Sequence, residues 1–150
     1  MAKRKSKIGK HQKQSIIKQT LEQKKSVQNL ETDECLVISF KHLDKNQFPP
    51  STDFQEWEEK NMLARAMYTL AGCTTSTIGE LEANSNKFTV YDGFPPEDKT
   101  DYTHPIHVPE DARWTRLHIT GLQCVIGHLV KNTFYIVFLD TEHRFWKSQQ

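Results

Sequence analysis

The stretch from Arg113 to Trp146 has the period-two patterning and the tight connections of three consecutive β-strands. Gly121 and the pair Lys131–Asn132 separate the three runs, which favours an antiparallel meander. Successive side chains of a strand point to opposite faces, so the first strand should carry basic groups on one face and aliphatic groups on the other. The two sets are Trp114, Arg116, His118 and Thr120 against Thr115, Leu117 and Ile119.

Four earlier segments complete the predicted domain. Residues 35–40 form a continuous apolar run that we expect to lie centrally in the sheet, and residues 87–91 alternate as a short strand. Residues 53–71 predict a helix with Met67 on its apolar face, and residues 74–83 predict a second helix. The predicted fold is therefore α+β, with an antiparallel or mixed sheet of four to five strands, two central helices and an N-terminal helix.

The beginning of the chain is strongly basic. Residues 1–25 hold nine Lys and Arg against one Glu, a net charge of +8, whereas the rest holds eleven basic and eighteen acidic residues, a net charge of −7. We expect residues 1–10 to be a disordered arm, and residues 11–150 to be one α+β domain that begins with a helical extension. Such an arm binds nucleic acid by releasing counterions, although a solubilising tail or a localisation signal has the same composition. The candidate RNA contacts are Lys3, Arg4, Lys5, Lys7, Lys10 and Lys13, together with Arg113 and Trp114.

Several classes of protein do not fit the composition. Cys35, Cys73 and Cys124 are widely spaced and odd in number, which favours reduced thiols and a cytoplasmic protein over a disulfide framework. The apolar runs are far shorter than the roughly 20 residues of a membrane span, so no membrane partner is expected. The chain has six glycines and no glycine-rich phosphate loop, so nucleotide-binding folds are not expected.

Histidine is concentrated near the end of the chain, where five of the seven residues follow position 103. This clustering suggests either a metal site or acid–base chemistry. A metal would use His104 and His107, with His118, Asp140 or His143 as further ligands, but the spacing is not that of a helical zinc motif. Ordinary hydrogen-bonded histidines are the third alternative. We expect no metal and no cofactor.

Arginine and histidine together suggest cleavage of RNA without a metal. That reaction needs a base for the 2′-hydroxyl, an acid for the leaving 5′-oxygen, and cations that hold the phosphate. The candidates are Arg116 and Arg144 for the phosphate, and His118 and His143 for the proton transfers. Three aromatic residues, Trp114, Tyr135 and Trp146, offer flat surfaces on which bases stack. The alternative is structural, with Arg144 paired to Asp140 or Glu142, and Trp146 closing the core.

One family shares this pattern of residues. The segment Arg113-Trp114-x-Arg116-Leu117-x-Ile119-x-Gly121, followed by Val125-Ile126, by Phe134 to Asp140 and by His143-Arg144-Phe145, resembles the C-terminal sheet of the RelE/HigB-type toxins. The order of strand, two helices and three strands is similar as well. The resemblance implies a metal-independent endoribonuclease that cleaves mRNA, often on the ribosome, and that an antitoxin holds inactive. Cys124 stands where the family places a phosphate-contacting Arg.

Two functions are therefore expected from the sequence. The first is a toxin-like, metal-independent endoribonuclease of a toxin–antitoxin system, acting on mRNA and partnered by the ribosome and an antitoxin. The alternative is a non-catalytic module of phage or mobile-element origin that binds nucleic acid or protein through the basic arm and the aromatic sheet edge.

Overall fold

A computed structural model describes Lys18, Gln19 and residues 35–148. The chain divides into two units, residues 1–34 and residues 35–150. Lys18 and Gln19 are helical and exposed. The rest of the predicted N-terminal helix and the basic arm, with its six candidate RNA contacts, lie outside the described residues.

A five-stranded mixed sheet forms the framework of the second unit. Its strands are β1 (Val37–Ser39), β2 (Phe88–Val90), β3 (Arg113–Thr120), β4 (Gln123–Val130) and β5 (Thr133–Asp140). They are arranged in the order β1-β5-β4-β3-β2, with β1 parallel to β5 and every other pair antiparallel. The predicted α+β class and the meander of the last three strands are confirmed.

The turns of the meander use left-handed backbone at the predicted places. Gly121 has a φ of 53° between β3 and β4, and Lys131 has a φ of 54° between β4 and β5. These conformations match the twist of antiparallel strands and are easiest for glycine and for short polar turns.

The expected central position of residues 35–40 is wrong, because β1 lies at an edge of the sheet. Leu36 is buried, but Val37 and Phe40 are 46% and 41% exposed. The central strand is β4, in which every residue from Gln123 to Leu129 is buried. A run of apolar residues thus indicated a strand correctly without indicating which strand is covered on both faces.

Three α-helices, rather than two, follow β1. They are α1 (Phe54–Glu59), α2 (Leu63–Cys73) and α3 (Ile78–Glu82). The predicted continuous helix over 53–71 is interrupted at Asn61, which has a φ of 57°. No helix within the described ranges is long and apolar enough to span a bilayer.

The two faces of the sheet are covered differently. On one face the helices contribute Trp57, Leu70 and Leu81 to a core with β3 to β5, and Leu117 and Ile119 point into this core as predicted. Met67, expected on the buried face of its helix, is 44% exposed. The long segment before β3 and the residues after β5 cover the other face and form a second core with it. The buried residues of this second core are Tyr102, Val108, Ala112, Trp114, Cys124, Ile126, Val137, Phe138 and Phe145.

Candidate active site

Arg116 and His143 form a side-chain pair next to the second core. Arg116 Nη1 lies 2.8 Å from His143 Nε2, and Arg116 Nη2 donates to Thr89 Oγ1 of the neighbouring strand at 3.3 Å. Because a guanidinium only donates, His143 Nε2 is the acceptor, and the neutral ring carries its proton on Nδ1. The structure therefore joins a guanidinium and an imidazole directly.

The turn after β5 sets the position of His143. Asp140 is 2% exposed, and its carboxylate accepts the backbone N–H groups of Arg144 and Phe145, each at 2.9 Å. His143 itself has a φ of 59°, a left-handed conformation that residues other than glycine seldom adopt. Burial raises the pKa of Asp140, and the two N–H donors oppose this effect. The hydrogen-bonded turn thus keeps the imidazole next to Arg116 despite local backbone strain.

His143 lines an open surface cleft of about 670 Å³. This volume lies within the range of sites that bind small molecules. Two lysines and two carboxylates balance one another around the cleft, so it is polar without being strongly basic. The other lining residues are Lys99, Lys147, Asp98, Glu142, Leu122 and Ser148.

Arg144 is engaged elsewhere. Its Nε lies 2.8 Å from Asp101 Oδ2, and Lys147 Nζ lies 2.8 Å from Asp101 Oδ1. Hydrogen bonds from Lys147 and Arg144 lower the pKa of Asp101. The sequence suggested Asp140 or Glu142 as the acidic partner of the Arg144 guanidinium. Asp140 instead accepts the backbone N–H group of Arg144. The ion pair uses Nε, and a guanidinium has five N–H donors, so a phosphate would have to approach Arg144 beside the carboxylate of Asp101.

Two predicted site residues lie apart from the Arg116–His143 pair. His118 Nε2 bonds the carbonyl oxygen of Gly121 at 2.7 Å, and His118 lines a different cleft, next to Lys87. Arg113, at the other end of β3, forms an exposed ion pair of 3.4 Å with Glu82 of α3. The structure therefore brings together one Arg and one His of the predicted set.

The predicted stacking surface is mostly covered. Trp114 is 0% exposed, and its ring lies parallel to that of Phe138 at a centroid distance of 5.9 Å, so it offers no open face to a base. Trp146 is partly buried and stacks on Tyr91 at 4.7 Å. Of the three aromatic residues, Trp146 is the nearest to His143 in the sequence, and it directly precedes Lys147, which lines the cleft.

Cys124 is a core residue. It is 0% exposed, and burial raises the pKa of its thiol to about 12, despite the nearby Arg116. A neutral, buried thiol neither contacts a phosphate nor acts as a nucleophile. Position 124 therefore lacks the arginine of the RelE/HigB pattern. The nearby guanidinium is that of Arg116.

The histidines proposed as metal ligands have separate partners. His104 Nδ1 lies 3.0 Å from the carbonyl oxygen of Pro105, and His107 Nε2 bonds the carbonyl oxygen of His42 at 2.7 Å. Among the described residues, no group of three or more His, Cys, Asp or Glu side chains is arranged to hold a metal ion.

Several residues that shape the site have no local signal in the sequence. Asp101 lies 43 positions before Arg144, and Thr89 lies 27 positions before Arg116. Thr89 reaches Arg116 through the pairing of their strands, and Asp101 reaches Arg144 from the irregular segment before β3. Asp140 had a local signal, since a carboxylate at the end of a strand commonly accepts backbone N–H groups of the following turn.

Comparison with known proteins adds no relative. No family model, no curated protein and no solved structure matches this chain. The function is therefore argued from the residues and their geometry.

Proposed function

We propose that this protein is a metal-independent endoribonuclease of the toxin type, acting on mRNA in the cytoplasm, with its reaction centre at Arg116 and His143. The observation that carries the proposal is the 2.8 Å contact between Arg116 Nη1 and His143 Nε2 at the edge of an open cleft. The resemblance of residues 113–146 to RelE/HigB toxins supports the same reaction.

The pair supplies two of the functions that the reaction needs. In the resting state Arg116 occupies Nε2 of His143. An RNA phosphate would attract the guanidinium, because a bidentate contact with a phosphate is stronger than a bond to a neutral imidazole. Nε2 is then free to take the proton of the 2′-hydroxyl. The 2′-oxygen attacks phosphorus, the bond to the 5′-oxygen breaks, water in the open cleft protonates that oxygen, and a 2′,3′-cyclic phosphate remains.

Cleavage of a defined RNA by purified variants tests this proposal. His143→Asn is the informative substitution, because Asn tolerates the left-handed backbone yet does not exchange protons near neutral pH. We expect the cleavage rate to fall by at least about 100-fold for His143→Asn and for Arg116→Ala, and to be unaffected by a chelator.

Arg65→Ala is the matched control. Arg65, like Arg116, donates a side-chain hydrogen bond to a threonine hydroxyl, here Thr120 Oγ1, and it lies on α2 and does not line the cleft. Its variant should cleave RNA like the parent. Equal rates for the parent and His143→Asn would remove His143 from the reaction.

Expression in bacteria extends the test to mRNA. The parent should arrest growth and deplete mRNA, and the double variant Arg116→Ala/His143→Ala should do neither. Relief by a co-expressed antitoxin, or dependence on translation, would identify the partner as an antitoxin or as the ribosome.

A non-catalytic nucleic-acid-binding module is the second candidate. It is favoured by the ion pair of Arg144 with Asp101 and by the hydrogen bond of His118 to Gly121, which engage two of the four predicted catalytic residues in other contacts. This candidate predicts that the parent and all of these variants bind RNA without cleaving it. Deletion of residues 1–25 should then abolish most of the affinity, whereas a ribonuclease should keep measurable cleavage.

A further inference from the structure

Histidines from three segments lie together on the sheet, and two of them stack on one tyrosine ring. His42 lies in a first loop, residues 40–50; His107 lies in a second loop, residues 102–109; and His128 lies on the central strand β4. His42 Nδ1 is 2.9 Å from His128 Nε2, and the two rings are parallel within 5°. Tyr135 of β5 stacks on both rings, with centroid distances of 4.4 and 5.1 Å.

The two rings are joined by a single N–H···N hydrogen bond. Their centroid distance of 5.1 Å is close to the N···N distance plus two ring radii, so the two nitrogens face each other nearly in line. Two zinc ligands in line would stand about 4 Å apart, at about 2.0–2.1 Å from the metal each, so no ion fits between them. One proton lies between the two rings, and a second proton on this line would turn both nitrogens into donors and break the bond.

This bond helps to attach both loops to the sheet. His107 Nε2 donates to the carbonyl oxygen of His42 at 2.7 Å, which ties the second loop to the first. Gln47 reinforces the tie with two hydrogen bonds to the backbone of Thr103, at 2.7 and 2.8 Å. The Asp44 N–H donates to the carbonyl oxygen of Val137 at 2.9 Å and so reports directly on contact between the first loop and the sheet.

The surroundings oppose the addition of positive charge. His128 is 1% exposed, and its Nδ1 has no hydrogen-bond partner among the described residues. Burial, followed by the positive charge of His42, His107 and His104, lowers the pKa of His128 to about 4. Burial, His107 and Lys41 also lower the pKa of His42.

The other groups around the cluster do not compensate. Tyr135 and Trp114, whose rings contact His128, present aromatic faces to it and no carboxylate. The carboxylate of the first loop, Asp44, is 4% exposed and accepts the backbone N–H groups of Asn46 and Gln47. The charged groups that act on the pKa of His42 and His128 are lysine and other histidines, which oppose a further positive charge.

We propose that the His42–His128 pair is an acid-sensitive latch, which holds the two loops on the sheet when neutral and releases them when the cluster is protonated. The loops cover part of the sheet and carry Ile106, a fully exposed apolar side chain. Release would expose Tyr135 and His128 while the five-stranded sheet stays intact. This inference does not depend on ribonuclease activity.

The sign of the pH dependence follows from linkage. In the closed state His128 is neutral down to about pH 4, whereas in the open state it titrates near its ordinary value of 6.5. The open state therefore binds more protons between these values, and closing is weakened as the pH falls from 6.5 towards 4. With one proton taken up on opening, the opening equilibrium rises about tenfold per pH unit in the lower part of this window.

Residue-resolved amide hydrogen exchange of the full chain between pH 7 and 4.5, corrected for the chemical exchange rate, measures this directly. We expect opening at the Asp44 amide to rise by at least about tenfold on acidification, while amides of β4 keep their protection. His42→Gln keeps a hydrogen-bonding side chain but removes one of the charges that lower the pKa of His128, and should therefore reduce the pH response. His118→Gln, at a histidine outside the cluster, should respond like the parent.

Three results would overturn the latch. They are a change of less than about twofold at Asp44 across the window, simultaneous loss of protection in the loops and in β4, or an unaltered pH response in His42→Gln. If His42→Gln does not fold, the pH profile of the parent at Asp44 and in β4 still decides between release of the loops and global acid unfolding.

Discussion

Gly127 is the glycine position at which the structure leaves the least room for a side chain. It lies in the central strand β4, at an irregularity in the pairing of β4 with β5. A Cβ atom placed there would stand 2.6 Å from Phe134 Cε2 and closer still to the carbonyl oxygen of Tyr135. The glycine therefore allows the backbone of β5 to approach, and this approach brings Tyr135 beside His128.

Gly127→Ala should accordingly destabilise the protein. The clash involves backbone atoms, which cannot turn away as a flexible side chain can, so we expect the free energy of unfolding to fall by at least about 1–3 kcal/mol. Urea denaturation measures the change. Gly72→Ala is the control, since a Cβ there meets nothing within 4 Å and a helix favours Ala over Gly. Equal stability of the two variants would contradict the predicted clash.

At the scale of the elements, the break between α1 and α2 has a defined geometry. The Met62 N–H donates to the Trp57 carbonyl oxygen at 2.7 Å, and the Asn61 N–H donates to the Glu58 carbonyl oxygen at 3.0 Å. With Asn61 in the left-handed region, this is a Schellman motif that ends α1. The motif turns the chain so that Trp57 and Leu70 both reach the core beneath the sheet.

Substitutions at Asn61 test this account. Asn61→Gly should raise the free energy of unfolding slightly or leave it unchanged, because glycine adopts the left-handed backbone without strain. Asn61→Ala should lower it by about 1 kcal/mol, since Cβ crowds the carbonyl oxygen in that conformation. Thermal and urea unfolding of both variants provide the measurement. A more stable Asn61→Ala would mean that the two helices can merge into one.

The sequence predicted elements better than it predicted their surroundings. Period-two patterning located the three strands of the meander, because the preference for alternate faces is local. The same patterning could not show that Trp114 is covered, since the segment that covers it is far away in sequence and irregular. The break at Asn61 was missed because its flanking apolar residues keep a helical spacing across it.

The candidate site was predictable to a similar degree. Arg116 and His143 were both identified from their residue types, and β-pairing places Arg116 where it can reach the turn that carries His143. The pairing of Arg144 with Asp101 was not predictable, because the choice among several nearby carboxylates depends on how the long segment before β3 folds back. His42 was missed for the same reason, since only the tertiary fold joins it to the later histidines.

At the scale of the whole molecule, the first 25 residues and the rest of the chain carry opposite net charges. The first 25 residues carry a net charge of +8, and the remainder carries −7. The cleft next to His143 is charge-balanced, so we expect most of the non-specific attraction for RNA to come from the basic arm rather than from the site.

Deletion of residues 1–25 should therefore change affinity more than chemistry. Each contact with a single-stranded phosphate contributes about −0.7 to the slope of log K against log salt concentration, so eight contacts, matching the net charge of residues 1–25, give a slope of about −6. The truncated chain should bind weakly with a slope near zero, and the salt titration of RNA binding measures both. A cleavage rate at saturating RNA that falls as steeply as the affinity would place the arm in the reaction itself.

The pairing of β1 with β5 has a consequence for the timing of folding. Val37 pairs with Thr133, so the first strand of the sheet depends on a partner that lies far along the chain. Contacts of such long range slow folding and favour assembly in one late step. The turn that holds His143 beside Arg116 directly follows β5. The pairing of β1 and the placement of His143 beside Arg116 therefore both depend on the same strand.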